Sequence, residues 1–155
     1  MSWEKESQRS HEAKTLRKKR LPIGPVLVLG SSNFPLAYST MGGDTVAALA
    51  AGCCVVLKAH PMHVGTSTAV ASCVERALAA LELPSAIFSH VIDNTYYWAS
   101  TFAEHPRIQA IGFTGSIKGG RALMDLAAQR QAPIPVFAEM GSLNPVLILE
   151  DNSAD

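Results

Sequence analysis

The stretch Gly24-Pro25-Val26-Leu27-Val28-Leu29-Gly30 decides the fold of this 155-residue chain. Four consecutive aliphatic residues between glycines, without polar alternation, read as a short strand covered on both faces. Ser31-Ser32-Asn33-Phe34-Pro35 follows as a turn, and Leu36 to Ala51 reads as a helix stopped by Gly52. Cys53 to Ala59 is a second buried strand, and His60 to Gly65 is a loop holding Pro61. Thr66 to Leu83 is a helix closed by Pro84, with Val70, Val74, Leu78 and Leu81 spaced to share one face. The pattern then repeats. Ala86 to Ile92 is a strand, Thr95 to His105 a helix, Ile108 to Phe113 a strand and Gly119 to Gln131 a helix. Val136 to Met140 and Val146 to Leu149 are late strands. Strands alternating with helices through short loops predict an α/β fold, a parallel sheet with helices on both faces.

Upstream of this pattern the composition changes. Positions 1 to 20 carry seven basic and three acidic residues, so the head is +4 and the remainder −4 in a chain of zero net charge. With no apolar period, residues 1–20 read as a basic, flexible or loosely helical arm. The cluster Arg17, Lys18, Lys19, Arg20 lacks interleaved aromatic residues, which favours a solvated lead-in over a nucleic-acid or lipid contact. Hydrophobic residues at 48% and charged residues at 17% argue against overall disorder. The longest uncharged apolar run, Val46 to Leu57, is too short to cross a bilayer, and the polar start Met1-Ser2-Trp3-Glu4-Lys5 is not a secretory signal. Three cysteines, Cys53, Cys54 and Cys73, make no disulfide framework and fit a reducing, cytoplasmic setting. Adjacent Cys53 and Cys54 would point to opposite faces of a strand, so no metal site is expected from them.

Open parallel sheets bind ligands beyond the carboxyl ends of their strands. Asn33, Lys58 and the segment Thr114-Gly115-Ser116 all fall at such ends, so separate loops are expected to converge on one crevice. Gly112 to Gly120 (GFTGSIKGG) is a glycine-rich turn feeding a helix, suited to anion binding but matching neither GxGxxG nor a P-loop. Lys58 directly follows Val55-Val56-Leu57 and must snorkel, meet a polar partner or reach water. Glu139 lies among Val136, Phe137, Ala138 and Met140, and a carboxylate against apolar surface suits general-base work. The plainer alternative for Glu139 is an ion pair at the sheet end.

SNFP with Asn33, VLKAHP with Lys58, GFTGSIKGG with Ser116 and AEMGSLNP with Glu139 together resemble the aldehyde dehydrogenases, in that family's order. The resemblance runs from about Leu21 to Asp155. KAHP and AEMGSLNP are most similar to the branch containing α-ketoglutaric semialdehyde (2,5-dioxovalerate) dehydrogenases. It implies a Rossmann-like fold and an incomplete cofactor-binding domain over 21–155. Asn33 would help hold the oxyanion and Glu139 would activate the hydrolytic water. Lys58 would bond the adenosine ribose, and Gly115, Ser116 and Gly120 would meet the pyrophosphate. The implied reaction is thiohemiacetal formation, hydride transfer to nicotinamide and thioester hydrolysis, with an aldehyde and a dinucleotide as small-molecule partners. NADP is expected over NAD. Pro61 stands where NAD-preferring relatives carry a ribose-binding glutamate, and Lys58 and His60 are available to a 2′-phosphate.

The match breaks in two places. The family's nucleophilic cysteine lies downstream of the glutamate motif, and Cys53, Cys54 and Cys73 do not correspond to it. The chain is therefore expected to be a slice of the enzyme, inactive alone, with its apolar Val146 to Leu149 run inviting self-association. The alternatives are a non-catalytic nucleotide-binding or interaction module, or a remnant without function. After the third strand, Asp93-Asn94-Thr95-Tyr96-Tyr97-Trp98 replaces the family's glycine-bearing turn. The aromatic residues would fill the adenine cleft, wall it, or pack on neighbouring helices.

Overall fold

The computed structural model describes residues 9–11, 14–16, 19 and 21–148. A five-stranded sheet holds β3 (Val26–Leu29), β4 (Val55–Lys58), β5 (Phe88–Val91), β6 (Ala110–Gly115) and β7 (Val136–Met140). Every pairing is parallel, and the spatial order is β5-β4-β3-β6-β7. The chain builds outward from β3 through β4 to β5, then returns to the other side of β3. That reversal is the topological switch point, where adjacent loops leave the sheet in opposite directions and open a crevice.

The lack of alternation in Val26–Leu29 has a direct structural counterpart. Val26 and Val28 pack with Val55, Leu57, Phe88 and Ala110 on one face. That face is covered by α1 (Gly43–Ala50) and α2 (Val64–Ala80), through Ala48, Leu49, Ala71, Val74 and Leu78. Leu27 and Leu29 pack with Ile111 on the other face. There α3 (Tyr97–Glu104) contributes Ala99 and Ala103, and α4 (Ile117–Gln129) contributes Leu123 and Ala127. Leu27, Leu57 and Ile111 are fully buried. Each contributes on the order of 1.5–3 kcal/mol from burial alone.

Several sequence expectations shift. Residues 1–20 read as a flexible or loosely helical arm, yet within them β1 (Arg9–His11) and β2 (Lys14–Leu16) pair antiparallel. A ladder of backbone bonds leaves no apolar period to read. Of the basic cluster only Lys19 lies within the described residues, and it is exposed. The first helix begins at Gly43 rather than Leu36. Residues 34–42 instead turn back on the end of β3, with Ser31 N donating to Tyr38 O at 2.8 Å and Gly43 N to Ala37 O at 3.0 Å. Cys53 and Cys54 precede β4 instead of belonging to it, and only Cys53 is buried. On α2 the face predicted from Val70, Val74, Leu78 and Leu81 is only partly used. Ser67 and Ala71 take the buried positions, and Leu81 lies past the helix end, exposed. Val146, Leu147 and Ile148 form no strand and are exposed, which leaves β7 at the sheet edge. Leu149 lies outside the described residues.

Candidate functional site

A cleft of about 380 Å³ opens at the carboxyl ends of β3 and β6, where the switch point predicts one. Asn33, Tyr38, Thr114, Ser116, Glu139 and Asn144 are among its lining residues. Asn33 is exposed in the turn after β3. Ser116 caps α4, its Oγ accepting from Gly119 N at 3.1 Å. Helix geometry leaves the first-turn amides of Ile117 and Lys118 without an intrahelical acceptor, and such a terminus favours an anion. Gly115 ends β6 in the same cleft, its carbonyl accepting from Gly141 N at 3.1 Å. Gly120 does not line it. It is buried a turn inside α4, where an added Cβ would stand 2.7 Å from Met140 Cγ. Close helix-to-strand packing accounts for a glycine there.

Lys58 and His60 occupy a neighbouring position, at the ends of β4 and β5. Lys58 is buried, and its Nζ donates to the Asp93 carbonyl oxygen at 2.8 Å. It thus has the polar partner that its apolar surroundings demand. Burial lowers the Lys58 pKa from its ordinary value, and the Asp93 charge opposes that fall. His60 Nδ1 accepts from Met62 N at 3.2 Å, which assigns the proton of a neutral ring to Nε2. Burial, then His63, then Lys58 lower the His60 pKa and favour that neutral ring. His60 stacks on His63 with centroids 5.6 Å apart. His63 Nε2 donates to Ser31 O at 2.8 Å, leaving its Nδ1 buried with no partner among the described residues. A buried lysine, a histidine N–H and an orphaned ring nitrogen thus form a polar cluster at these strand ends.

The residue that sequence reasoning missed is Asp44. Read from Leu36, the helix put it in mid-element; with Gly43 as its start, Asp44 stands in the first turn, facing β6. Thr114 Oγ1 donates to Asp44 Oδ2 at 3.4 Å. Burial raises the Asp44 carboxyl above its ordinary range, the Thr114 hydrogen bond opposes that, and the Glu139 charge adds to it. Glu139 itself is exposed, not sunk in apolar surface. It pairs in register with Thr114 on the uncovered side of the edge strand. A run of apolar letters misled here, because alternate residues of β7 are exposed.

Tyr96 is 91% exposed and Tyr97 64%, so neither packs on a neighbouring helix. Trp98 stacks on Phe102 of its own helix at 5.5 Å. The Asp93 carboxylate closes the preceding turn by accepting from Thr95 N at 3.0 Å and Thr95 Oγ1 at 2.9 Å. Among the described residues no group of three or more His, Cys, Asp or Glu could hold a metal. None of the described helices is long and apolar enough to cross a membrane. A depression of about 470 Å³ between the C-terminal ends of α3 and α4 lies at the opposite end of the sheet, away from these groups.

The sheet order, two-sided core and switch-point cleft define a Rossmann-like α/β domain. Residues 2–155 match the model of the aldehyde dehydrogenase family, and the chain belongs to that family. It is 52% identical over 136 residues to the α-ketoglutaric semialdehyde dehydrogenase of Acinetobacter baylyi, covering 88% of this chain and 26% of that protein. It is 48% identical over 133 residues to α-ketoglutaric semialdehyde dehydrogenase 2 of Azospirillum brasilense, covering 86% and 25%. The chain thus spans about a quarter of the length of these curated relatives. In fold it is similar to glyceraldehyde-3-phosphate dehydrogenase GapN of Methanocaldococcus jannaschii complexed with NADP. That likeness has a TM-score of 0.79 at 20% identity, over 91% of this chain and 30% of that one.

Proposed function

We propose that this chain forms the NADP-binding part of an enzyme that oxidises a semialdehyde to its carboxylate. The observation that carries the reading is convergence. Asn33, Ser116 and Glu139 open on one cleft, and Lys58 is held at the end of the adjacent strand. The Asn33 amide donates to an oxyanion, and the Glu139 carboxylate accepts a proton from the hydrolytic water. Gly115, Ser116 and the first-turn amides of α4 receive the pyrophosphate, with Gly120 bringing α4 close to β7. Lys58 binds the ribose, and the His60 Nε2–H donates to a 2′-phosphate. Pro61 puts no carboxylate against that phosphate. NADP, when bound, supplies the two-electron acceptor; NAD is the weaker alternative. Three free thiols fit a reducing, cytoplasmic compartment.

Cys53 and Cys54 stand before β4, at the end of the sheet opposite the cleft, and Cys73 lies on α2 beside Arg76. We therefore assign these 155 residues alone no aldehyde oxidation. The same placement favours a second reading, a nucleotide-binding module without catalysis. Backbone amide NMR tests the shared core of both. NADP is expected to shift Ile117, Lys118 and the segment 58–60. Shifts confined to the depression between α3 and α4 would overturn it.

A further inference from the structure

His90 of β5 reaches the turn that follows β3 through a pair of hydroxyls. Its Nε2 is 2.8 Å from Ser67 Oγ on α2, and Ser67 Oγ is 2.6 Å from Thr40 Oγ1. Thr40 and Ser67 are fully buried. Among the described residues Thr40 Oγ1 bonds only Ser67 Oγ, and Ser67 Oγ bonds only Thr40 and His90. A buried hydroxyl proton left without an acceptor is costly, which fixes the direction of the chain. Thr40 donates to Ser67, Ser67 donates to His90 Nε2, and the neutral ring carries its proton on Nδ1. Thr40 belongs to the turn whose Asn33, Phe34 and Tyr38 line the cleft. Inside that turn Tyr38 N donates to Phe34 O at 3.2 Å, and Tyr38 O accepts from Ser31 N at 2.8 Å. The Phe34 and Tyr38 rings meet edge to face with centroids 5.6 Å apart. The chain of contacts from His90 to the residues beside Asn33 is therefore continuous.

We propose that His90 is a positioning residue for Asn33, acting through Ser67 and Thr40 on the turn that carries it. This rests on the reading of Asn33 as the oxyanion donor. A proton added to His90 turns Nε2 from an acceptor into a donor. His90 then donates to Ser67, Ser67 donates to Thr40, and the Thr40 hydroxyl proton is stranded in a fully buried position. The turn has to open to give that proton an acceptor, and Tyr38 and Asn33 move with it. Burial lowers the His90 pKa, and the Glu75 charge on α2 opposes that fall. Few other titratable groups surround the ring. On β4 Leu57 pairs with His90, while Lys58 points to the opposite face, since Val56 packs there, and meets Asp93. Arg76 on α2 donates to Cys73 Sγ at 3.2 Å. The short turn Ser85–Ile87 carries no titratable side chain. His63, at the start of α2, holds the same turn from its other end, at Ser31 O.

The test follows the histidine ring signals and the Asn33 side-chain amide together by NMR across pH in the full 155-residue chain. At neutral pH the His90 ring is expected to show the Nδ1–H tautomer. As pH falls, the Asn33 and Tyr38 signals are expected to shift with the His90 midpoint, which the ring signals separate from that of His63. Ser67→Ala cuts the relay, so His90 still titrates while the turn no longer follows it. His90→Gln keeps a neutral acceptor for Ser67. It is expected to hold the turn as in the parent at neutral pH and to abolish the shift at the His90 midpoint, a result that a merely structural contact does not give. Amide spectra check that both variants fold. An Asn33 amide that ignores the His90 titration in the parent, or follows it unchanged in Ser67→Ala, would overturn the proposal, as would an Nε2–H tautomer at neutral pH. The readout needs no dinucleotide, so a failure to bind NADP leaves it standing, and its own failure leaves the cofactor reading intact.

Discussion

Lys58 Nζ and the Asp93 carbonyl oxygen, 2.8 Å apart, join the carboxyl ends of β4 and β5. The bond fixes a buried ammonium at the rim of the sheet instead of letting it extend into water. Fixing the group before a ligand arrives lowers the ordering cost of binding. Thr95 holds the Asp93 carboxylate through two donors, so the receiving side of the bond is also constrained.

The loop that follows Lys58 sets cofactor choice. Pro61→Glu introduces a carboxylate next to the expected 2′-phosphate position. NADP affinity is expected to fall by about ten-fold or more, the scale of one charge-assisted interaction, with NAD affinity unchanged or improved. Calorimetric titration of both nucleotides against both proteins checks this. Retained NADP preference in the variant would refute the argument.

Asp44 also predicts a pH dependence of stability. Its folded carboxyl is raised above the ordinary value. The folded state therefore holds this proton more tightly than the unfolded state. The resulting stabilisation is present below the unfolded pKa and is lost as pH rises through the folded one. Asp44→Asn is expected to be more stable than the parent at neutral pH, with the difference vanishing in acid. Urea unfolding at several pH values measures it; a variant less stable at neutral pH and equally so in acid counts against burial as the cause.

Ser116 links stability to the site. Ser116→Ala removes the bond to Gly119 N. Loss of a cap costs about 0.5–2 kcal/mol, a fall in Tm of a few degrees for a domain of this size. Ser116→Asp restores a capping acceptor and is expected to recover the Tm while weakening NADP through repulsion. Thermal melts and titrations on the two variants separate the roles.

The sheet was legible because its strands are short aliphatic runs between glycines, and burial on both faces is what such runs require. Asn33, Lys58 and Ser116 were legible as polar groups at strand ends, since parallel order puts all those ends on one side. Asp44 was not, because locating it depends on where α1 begins. Leu36 to Gly42 has helix-compatible letters, but its backbone closes local turns and one bond, Ser31 N to Tyr38 O, ties it to the strand end. Glu139 misled for the opposite reason. Apolar neighbours in sequence do not bury a residue on an edge strand, and nothing local in the sequence says which strand is the edge.

That edge predicts association. Leu143, Val146, Leu147 and Ile148 are each more than 80% exposed, beside a β7 whose outer side is unpaired among the described residues. Exposed apolar segments near open strand edges promote contacts between chains. Light scattering is expected to show mass rising with concentration. Replacing Val146, Leu147 and Ile148 by Ser is expected to reduce it. A concentration-independent monomer would contradict this expectation.

The central claim is that the carboxyl ends of these strands bind NADP. Calorimetric titration of NADP into the 155-residue chain, in parallel with Lys58→Met, tests it most directly. The account predicts saturable one-to-one binding in the parent and a loss of about ten-fold or more in the variant, since a charge-assisted bond is worth about 1.5–3 kcal/mol when desolvated. No binding by the parent, or equal affinity in both proteins, would contradict it.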